Sequence, residues 1–228
     1  MNEGKMGALR EVKTLDASDR VALARSVLAR AESAHGTTVH ALGVPTLPVA
    51  DQIATLLPHG GLHCGAVTVL QGSTALLLTL LSRASQEGSW CAVVGFPEIG
   101  SLAAAEAGID LSRLALIPDP GQQVGQVLAA LTDGLDVVVV GPQLDRRQLR
   151  PAVQRQIAAR VKERGVVLIS LQEWSGAEYT LQAHVAGWRG MGRGYGHLTK
   201  QDLILGRGGR GAAQRHISAE VSLPLAAV

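Results

Sequence analysis

Short, wholly apolar runs alternate with longer amphipathic segments between residues 67 and 171. The run 137–140 consists of four consecutive valines, which is typical of a parallel strand covered on both faces. The segments between such runs carry apolar residues at helical spacing, as in Val153, Ile157 and Val161. This alternation predicts repeated β–α–β units, and therefore an open, mostly parallel twisted sheet with helices on both faces.

The pattern places five strands and four intervening helices in this region. We predict strands at 67–71, 89–95, 114–117, 136–140 and 166–171. We predict helices at 73–86, at 97–108, at 122–132 and from Pro151 onward, where proline suits the first helical turn.

The pattern changes after residue 171. Residues 180–188 alternate between apolar and polar, a glycine-rich segment follows to Gly196, and further strands are predicted at 202–205 and 216–223. A glycine- and arginine-rich turn is predicted between them, at 206–211. We expect these strands to extend the sheet in antiparallel fashion.

An arm precedes the core. Ser18 or Asp19 caps a predicted helix that runs to about Ala34, and a short strand is predicted at 37–43. The arm has too little apolar surface to fold alone, so it packs either on the core or on a neighbouring subunit. We therefore divide the chain into an N-terminal helix–strand arm, 1–43, and a core domain, 44–228.

Composition narrows the functional classes. Aromatic residues make up only 3% of the 228 residues, which argues against a base-stacking surface. Cys64 and Cys91 lie far apart, match no metal spacing and suit buried positions in a reducing compartment. Since no stretch has the length and apolarity of a membrane span, we expect a cytoplasmic protein without a membrane partner. The position of the last predicted strand leaves room for a partner-binding tail beyond Val228.

Charge is unevenly distributed. Residues 1–144 carry 8 Lys/Arg against 13 Asp/Glu, and residues 145–228 carry 13 against 6, giving net charges of −5 and +7. The basic C-terminal part favours nucleic acid or an acidic protein as partner, with a solvated basic helix face as the equal alternative. Candidate DNA or partner contacts are the cations set among glycines: Arg189, Arg193, Lys200, Arg207 and Arg210. Ordinary hairpin turns also use such residues, so DNA contact is expected to be weak.

The segment 65–81 has the outline of a phosphate-binding loop, with a strand, a glycine turn and a long helix. The chemistry of such a loop is missing. The motif begins with Gly72, Ser73 and Thr74, but Leu78 occupies the position where such a loop has its lysine. Thr79 is the only hydroxyl near the magnesium position. We expect a degenerate loop with no bound cofactor.

Other candidate chemistry is sparse. His59 and His63 are four residues apart, but they lie in a glycine turn rather than on a helix, so no metal site is expected. Ser73 and Ser170 have no His or Asp nearby in sequence that would make them nucleophiles.

Several segments together resemble a known family. They are GTTVHALG, GGLHCGAVTVLQG, CAVV, AEAGIDLSRL, DVVVV and the C-terminal GRGYGHLT run. Over about residues 20–171 the chain resembles bacterial recombinases of the RecA family, and it is most similar to the actinobacterial ImuA-prime mutasome accessory proteins. The resemblance implies a RecA-like core and a role in the DNA-damage response, on the nucleoid, beside a catalytically inactive polymerase-like partner and an error-prone replicative polymerase.

The departures from the recombinase pattern decide the expected function. Active members have a lysine where Leu78 stands and an aspartate where Gly141 stands, and Glu98 matches their catalytic glutamate only loosely. Since catalysis of phosphoryl transfer is mostly electrostatic, ATP hydrolysis is not expected. We predict a non-catalytic adaptor, with direct DNA binding and a nucleotide-responsive regulator as alternatives. By resemblance the arm matches the segment that docks one recombinase protomer on the next, and folding back on its own core is the alternative.

Overall fold

The computed structural model describes residues 44–191, 196–209 and 217–224. The predicted arm, Arg193 and Arg210 lie outside the described residues. The described part is an α/β structure built on an eight-stranded sheet and a separate two-stranded ribbon.

Strands and helices alternate between residues 67 and 170. The strands are β1 (Thr46–Leu47), β2 (Leu62–His63), β3 (Val67–Gln71), β4 (Cys91–Val94), β5 (Leu114–Ile117), β6 (Val137–Val140), β7 (Val167–Ser170), β8 (Tyr179–Met191), β9 (Gly196–Gly209) and β10 (Ile217–Pro224). The helices are α1 (Asp51–Ala54), α2 (Thr74–Gln86), α3 (Ser101–Glu106), α4 (Val124–Gly134) and α5 (Pro151–Arg164). None of these helices is both long enough and apolar enough to cross a membrane.

The sheet order is β10-β9-β8-β3-β7-β6-β4-β5. The six strands from β8 to β5 run parallel, while β9 and β10 are antiparallel additions at one side. This confirms the predicted α/β class with a mostly parallel sheet, which the antiparallel strands β9 and β10 extend. The antiparallel attachment expected for residues 180–188 is wrong, because β8 joins the sheet by parallel pairing with β3. The strand β3 has parallel neighbours on both sides, so the glycine turn that follows it opens at the middle of the sheet.

Two apolar cores flank the sheet, and the valine strand β6 contributes to both. Val137 and Val139 face the core formed with α1, α2 and α3, whereas Val138 and Val140 face the core formed with α4 and α5. Each fully buried valine or leucine stabilises the fold by about 1.5–3 kcal/mol. Helices on both faces, as predicted, explain why β6 needs no polar residue.

The helix predicted at 97–108 is shorter than expected. It begins at Ser101, because Gly95 adopts a φ of 70° and the Ile99 amide donates to the Phe96 carbonyl in a turn. Glu98, which the predicted helix would have included, lies instead in the turn before α3.

Among the described residues, several glycines that were predicted to lie in loops belong to strands. Gly187 and Gly190 lie within β8, and Gly206 to Gly209 lie within β9. Gly206 pairs with Gln182 on one side and Ser218 on the other. This cross-strand hydrogen bonding overrides the weak intrinsic strand preference of glycine. At Gly190 the neighbouring strand comes so close that a Cβ would lie 2.2 Å from the His197 carbonyl oxygen.

Candidate functional site

The turn after β3 contains two residues, Gly72 and Ser73. Gly72 has a φ of 95°, and a Cβ there would lie 2.0 Å from the carbonyl oxygen of Ala183 in β8. The Ser73 hydroxyl accepts a hydrogen bond from the Leu76 amide at 3.1 Å and so caps α2, which starts at Thr74. One of the helix amides that would face a phosphate is therefore already bonded within the chain.

The helix predicted at 73–86 is confirmed to within one residue, because α2 spans Thr74–Gln86. Leu78 and Thr79 of the degenerate loop motif therefore lie within this helix. Leu78 is only 7% exposed and packs in the core. The Thr79 hydroxyl donates to the Ala75 carbonyl at 2.8 Å, so it serves the helix rather than a metal ion. The described turn supplies neither a cation nor a loop that wraps an anion.

The carboxyl end of β6 is closed by backbone contacts. The Gly141 amide donates to the Val94 carbonyl at 2.7 Å. A Cβ at Gly141 would lie 2.3 Å from the Gly95 carbonyl oxygen and 2.8 Å from the Cβ of Phe96. The recombinase aspartate has no room here, because any side chain would displace the turn after β4.

A buried glutamine reinforces this closure. Gln172 donates from Nε2 to the carbonyl oxygens of Gly141 and Leu144, both at 2.9 Å. Its own carbonyl accepts from the Ser170 hydroxyl at 2.8 Å, so Ser170 is engaged in structure. Glu98 is exposed and accepts a hydrogen bond from Gln143.

A groove of about 590 Å³ lies beside the turn, over β3 and β8. Gln71, Gln182 and Glu173 line it together with Trp174, whose buried Nε1 has no hydrogen-bond partner among the described residues. Glu173 and Tyr179 are the titratable residues that line the groove. Burial raises the pKa of Tyr179 to about 12, and the neighbouring Glu178 carboxylate acts in the same direction. The groove therefore offers amide hydrogen bonding rather than a matched acid and base.

The basic residues predicted to contact DNA or a partner have different surroundings. Arg189 is exposed and pairs with Asp202 at 2.5 Å, and Lys200 is exposed opposite it on β9. Arg207 is only 4% exposed and donates from Nη1 to the Leu56 carbonyl at 2.8 Å. Its expected surface contact is wrong in this structure, because the side chain points into the core and ties β9 to the end of α1.

The distal part of the β8–β9 hairpin exposes apolar side chains. We call this surface the hairpin tip and define it by Val185, Trp188, Met191 and Leu198, all of them exposed. Trp188 is 52% exposed although it is opposite the buried Gln201. Trp188 thus continues the core-facing side of the hairpin past the end of the core, where the described residues leave it uncovered.

A cluster of polar side chains at the amino end of β3 and β8, opposite the end that carries the Gly72 turn, was not predicted. His63 Nδ1 donates to Glu178 Oε2 at 2.7 Å, and His59 Nε2 lies 3.9 Å from Glu178 Oε1. The two imidazole rings meet edge to face, with centroids 5.3 Å apart. Glu178 is 115 residues from His63 in sequence. Only the parallel pairing of β3 with β8 brings the two together, and no local motif announces it.

The fold and site together define an α/β protein whose central glycine turn is closed by a helix cap and by the backbone of a neighbouring strand. The chain belongs to the MT3502 N-terminal domain family, whose model matches residues 55–176. It is 43% identical over 136 residues to the uncharacterized protein Rv3395c of Mycobacterium tuberculosis (strain ATCC 25618 / H37Rv). That alignment covers 58% of this chain and 66% of the relative, slightly less than two thirds of the relative's length.

Proposed function

We propose that this chain is a non-catalytic adaptor with a RecA-like core that acts in DNA-damage-induced mutagenesis through contacts with a polymerase-like partner. The observation that carries the proposal is the closed turn at Gly72 and Ser73. A scaffold with the layout of a nucleotide-binding sheet, but with its glycine turn packed against the β8 backbone and a helix amide already capped, is more useful for its surfaces than for hydrolysis. The similarity to a mycobacterial protein agrees with the actinobacterial family that the sequence resembles. Such a protein works in the cytoplasm, on the nucleoid after damage.

Three positions lack the groups that phosphate binding and transfer require. Leu78 brings no charge to offset a triphosphate, and the Ser73 hydroxyl occupies the Leu76 amide. Gly141 has no space for the carboxylate that would hold a magnesium ion. Because electrostatic stabilisation is the main contribution to phosphoryl transfer, losing all three removes the basis for hydrolysis.

Nucleotide binding is the first test of this proposal. Calorimetric titration of the chain with ATP and Mg²⁺ is expected to give no binding heat, because the turn provides no cation and one of its helix amides is already bonded to Ser73. Micromolar ATP affinity would contradict the proposal and favour the nucleotide-responsive regulator. ADP without magnesium serves as the control for binding that does not depend on the metal.

The adaptor role is tested by association with the partner. Co-expression with the polymerase-like protein of the same organism, followed by size-exclusion chromatography, is expected to give a stable complex in high salt as well as low salt. Deleting the gene is expected to lower the damage-induced mutation frequency. Normal induced mutagenesis in the deletion strain would overturn the role.

Direct DNA binding is the second candidate, and the exposed Lys200 and Trp188 of the hairpin favour it. The positive charge of Lys200 suits contact with a phosphate, and the exposed indole of Trp188 suits stacking on unpaired bases. The burial of Arg207 and the Arg189–Asp202 ion pair weaken this candidate. A fluorescence titration with single-stranded DNA is expected to show weak binding that falls steeply with salt.

A further inference from the structure

We propose that His59, His63 and Glu178 bind a divalent transition-metal ion of the zinc class. One ligand atom from each residue, two imidazole nitrogens and a carboxylate oxygen, lies within 4.8 Å of the other two. This site is independent of the adaptor proposal, because it lies at the amino edge of the sheet, away from the turn at Gly72.

The fold brings the three ligands together from two directions. His63 belongs to β2, which pairs with β1 through Thr46 and is joined to β3 by a short turn. Glu178 immediately precedes β8, and its amide donates to the Val67 carbonyl of β3 at 2.9 Å. Both ligands are therefore fixed at the amino end of the same strand, β3.

The turn that carries His59 is also held in place. Gly60 has a φ of 72°, which favours glycine, and a Cβ at Gly61 would lie 2.5 Å from the Leu47 carbonyl oxygen. The close packing of Gly61 against β1 keeps the turn folded over β2, so His59 stays beside His63. His59 and His63 are thus neighbours through a glycine turn, whereas helical metal sites use the i, i+4 spacing of a helix face.

The donor set fits zinc better than magnesium or calcium. Imidazole nitrogen suits zinc and its neighbours in the first transition row, whereas magnesium and calcium prefer all-oxygen sites. Tetrahedral zinc with bonds of about 2.0–2.2 Å places its ligand atoms roughly 3.4 Å apart. The side chains of His59, His63 and Glu178 are each more than a quarter exposed, so small rotations close the remaining gap.

Two histidines and one glutamate leave the fourth position of a tetrahedral ion to water. The ion would join the turn after α1 to the start of β8, two segments that are otherwise held here by the His63–Glu178 hydrogen bond. The alternative is that this hydrogen bond, with His59 as a neighbour, is all that the cluster does. Metal binding separates the two interpretations.

The test is zinc titration of the chain, freed of any histidine tag, in competition with a chromophoric chelator. We expect one zinc ion per chain and a higher melting temperature with zinc, because an ion that binds only the folded state stabilises it. The variants His59→Ala, His63→Ala and Glu178→Gln are each expected to lose more than about tenfold in zinc affinity, the loss seen when even an outer-shell partner is removed.

The matched control is His184→Ala, which removes an exposed histidine from β8 outside the cluster. It is expected to bind zinc like the wild type. His59→Ala is the decisive variant, because His59 is exposed and its removal leaves the His63–Glu178 hydrogen bond in place. No zinc binding by the wild type, or equal affinity in the wild type and His59→Ala, would overturn the proposal.

Discussion

Arg207 shows how a residue's neighbours in space decide its role. In sequence it stands among glycines beside Arg210, a setting that indicates contact with phosphates. In the structure it follows the buried side of β9 and donates to the Leu56 carbonyl. The alternation of Leu203, Leu205 and Arg207 along β9 was the available signal, because it places the arginine on the buried face. Treating residues 206–211 as a turn concealed this alternation.

The first prediction concerns stability at Arg207. Arg207→Ala is expected to lower the free energy of unfolding by about 1–3 kcal/mol, because it removes a buried hydrogen bond and the packing of the arginine stem. Lys200→Ala, on the exposed side of the same strand, is expected to leave stability unchanged. Urea unfolding of both variants gives the comparison, and equal stability would contradict the burial of Arg207.

The second prediction concerns alkaline pH. Burial, aided by the Asp136 carboxylate, raises the pKa of Cys91 to about 12 from an ordinary 9.0. Above pH 9.0 the unfolded chain loses this proton while the folded chain keeps it, so the unfolded state binds fewer protons and the free energy of unfolding falls as pH rises. Tyr179, with its own pKa raised to about 12, adds to the same trend.

The measurement is urea unfolding at several pH values on either side of pH 9.0. Cys91→Ala is expected to show a shallower decline than the wild type, because one of the groups responsible is gone. Identical slopes in the two proteins would mean that Cys91 ionises as readily when folded as when unfolded.

At the scale of elements, the sequence predicts those helices and strands whose burial appears as apolar periodicity. The strands β3 and β5 and the helix α2 lie within one residue of their predicted bounds, because a buried strand or helix shows its contacts in its own composition. The hairpin of β8 and β9 was missed in part, because its glycines are held by cross-strand hydrogen bonds that leave no trace in local sequence.

The candidate sites also combine features that the sequence shows with features that depend on the fold. The missing lysine at Leu78 is readable from sequence, whereas the closure of the turn depends on Ala183 of β8 and the cap at Ser73. The cluster of His59, His63 and Glu178 depends on strand order. The two histidines alone gave no reason to expect a carboxylate 115 residues away from one of them.

The third prediction tests the closure at β6. Gly141→Asp is expected to lower the free energy of unfolding by at least about 1–3 kcal/mol, because its Cβ meets the Gly95 carbonyl. Gly100→Asp is the control: nothing lies within 4 Å of a Cβ there, and Gly100 is the N-cap of α3. Thermal unfolding is expected to show that this control is as stable as the wild type, or slightly more so. A Gly141→Asp protein of wild-type stability would mean that the site is open.

At the scale of the whole molecule, the hairpin tip is the described surface best suited to a protein partner. It combines Trp188 and Met191, residue types enriched in interfaces, with the charges of Arg189 and Lys200 nearby. Tryptophan is also prominent among the residues that dominate binding energy. The basic C-terminal part of the chain contributes an electrostatic attraction that speeds association with an acidic partner.

The fourth prediction follows from this surface. The double variant Trp188→Ala and Met191→Ala is expected to weaken binding of the proposed polymerase-like partner by more than about tenfold, the loss expected when an interface hot spot is truncated. Leu102→Ala on α3 is the control, because Leu102 is as exposed as Met191, at 69%. Surface plasmon resonance gives both affinities. If the Leu102 variant loses as much affinity as the hairpin variant, the partner binds elsewhere.

The strand β8 is long enough to keep the cluster of His59, His63 and Glu178 far from the hairpin tip. Glu178 precedes its first residue and Met191 is its last, 13 residues later, which at about 3.3 Å per residue is roughly 40 Å. An ion held at one end and a protein held at the other share no side chain, so substitutions at the two ends should have additive effects. One end could therefore diverge during evolution, gaining or losing its ligand, while the other keeps its own. Homologues with only one of the two features are a natural expectation of this arrangement.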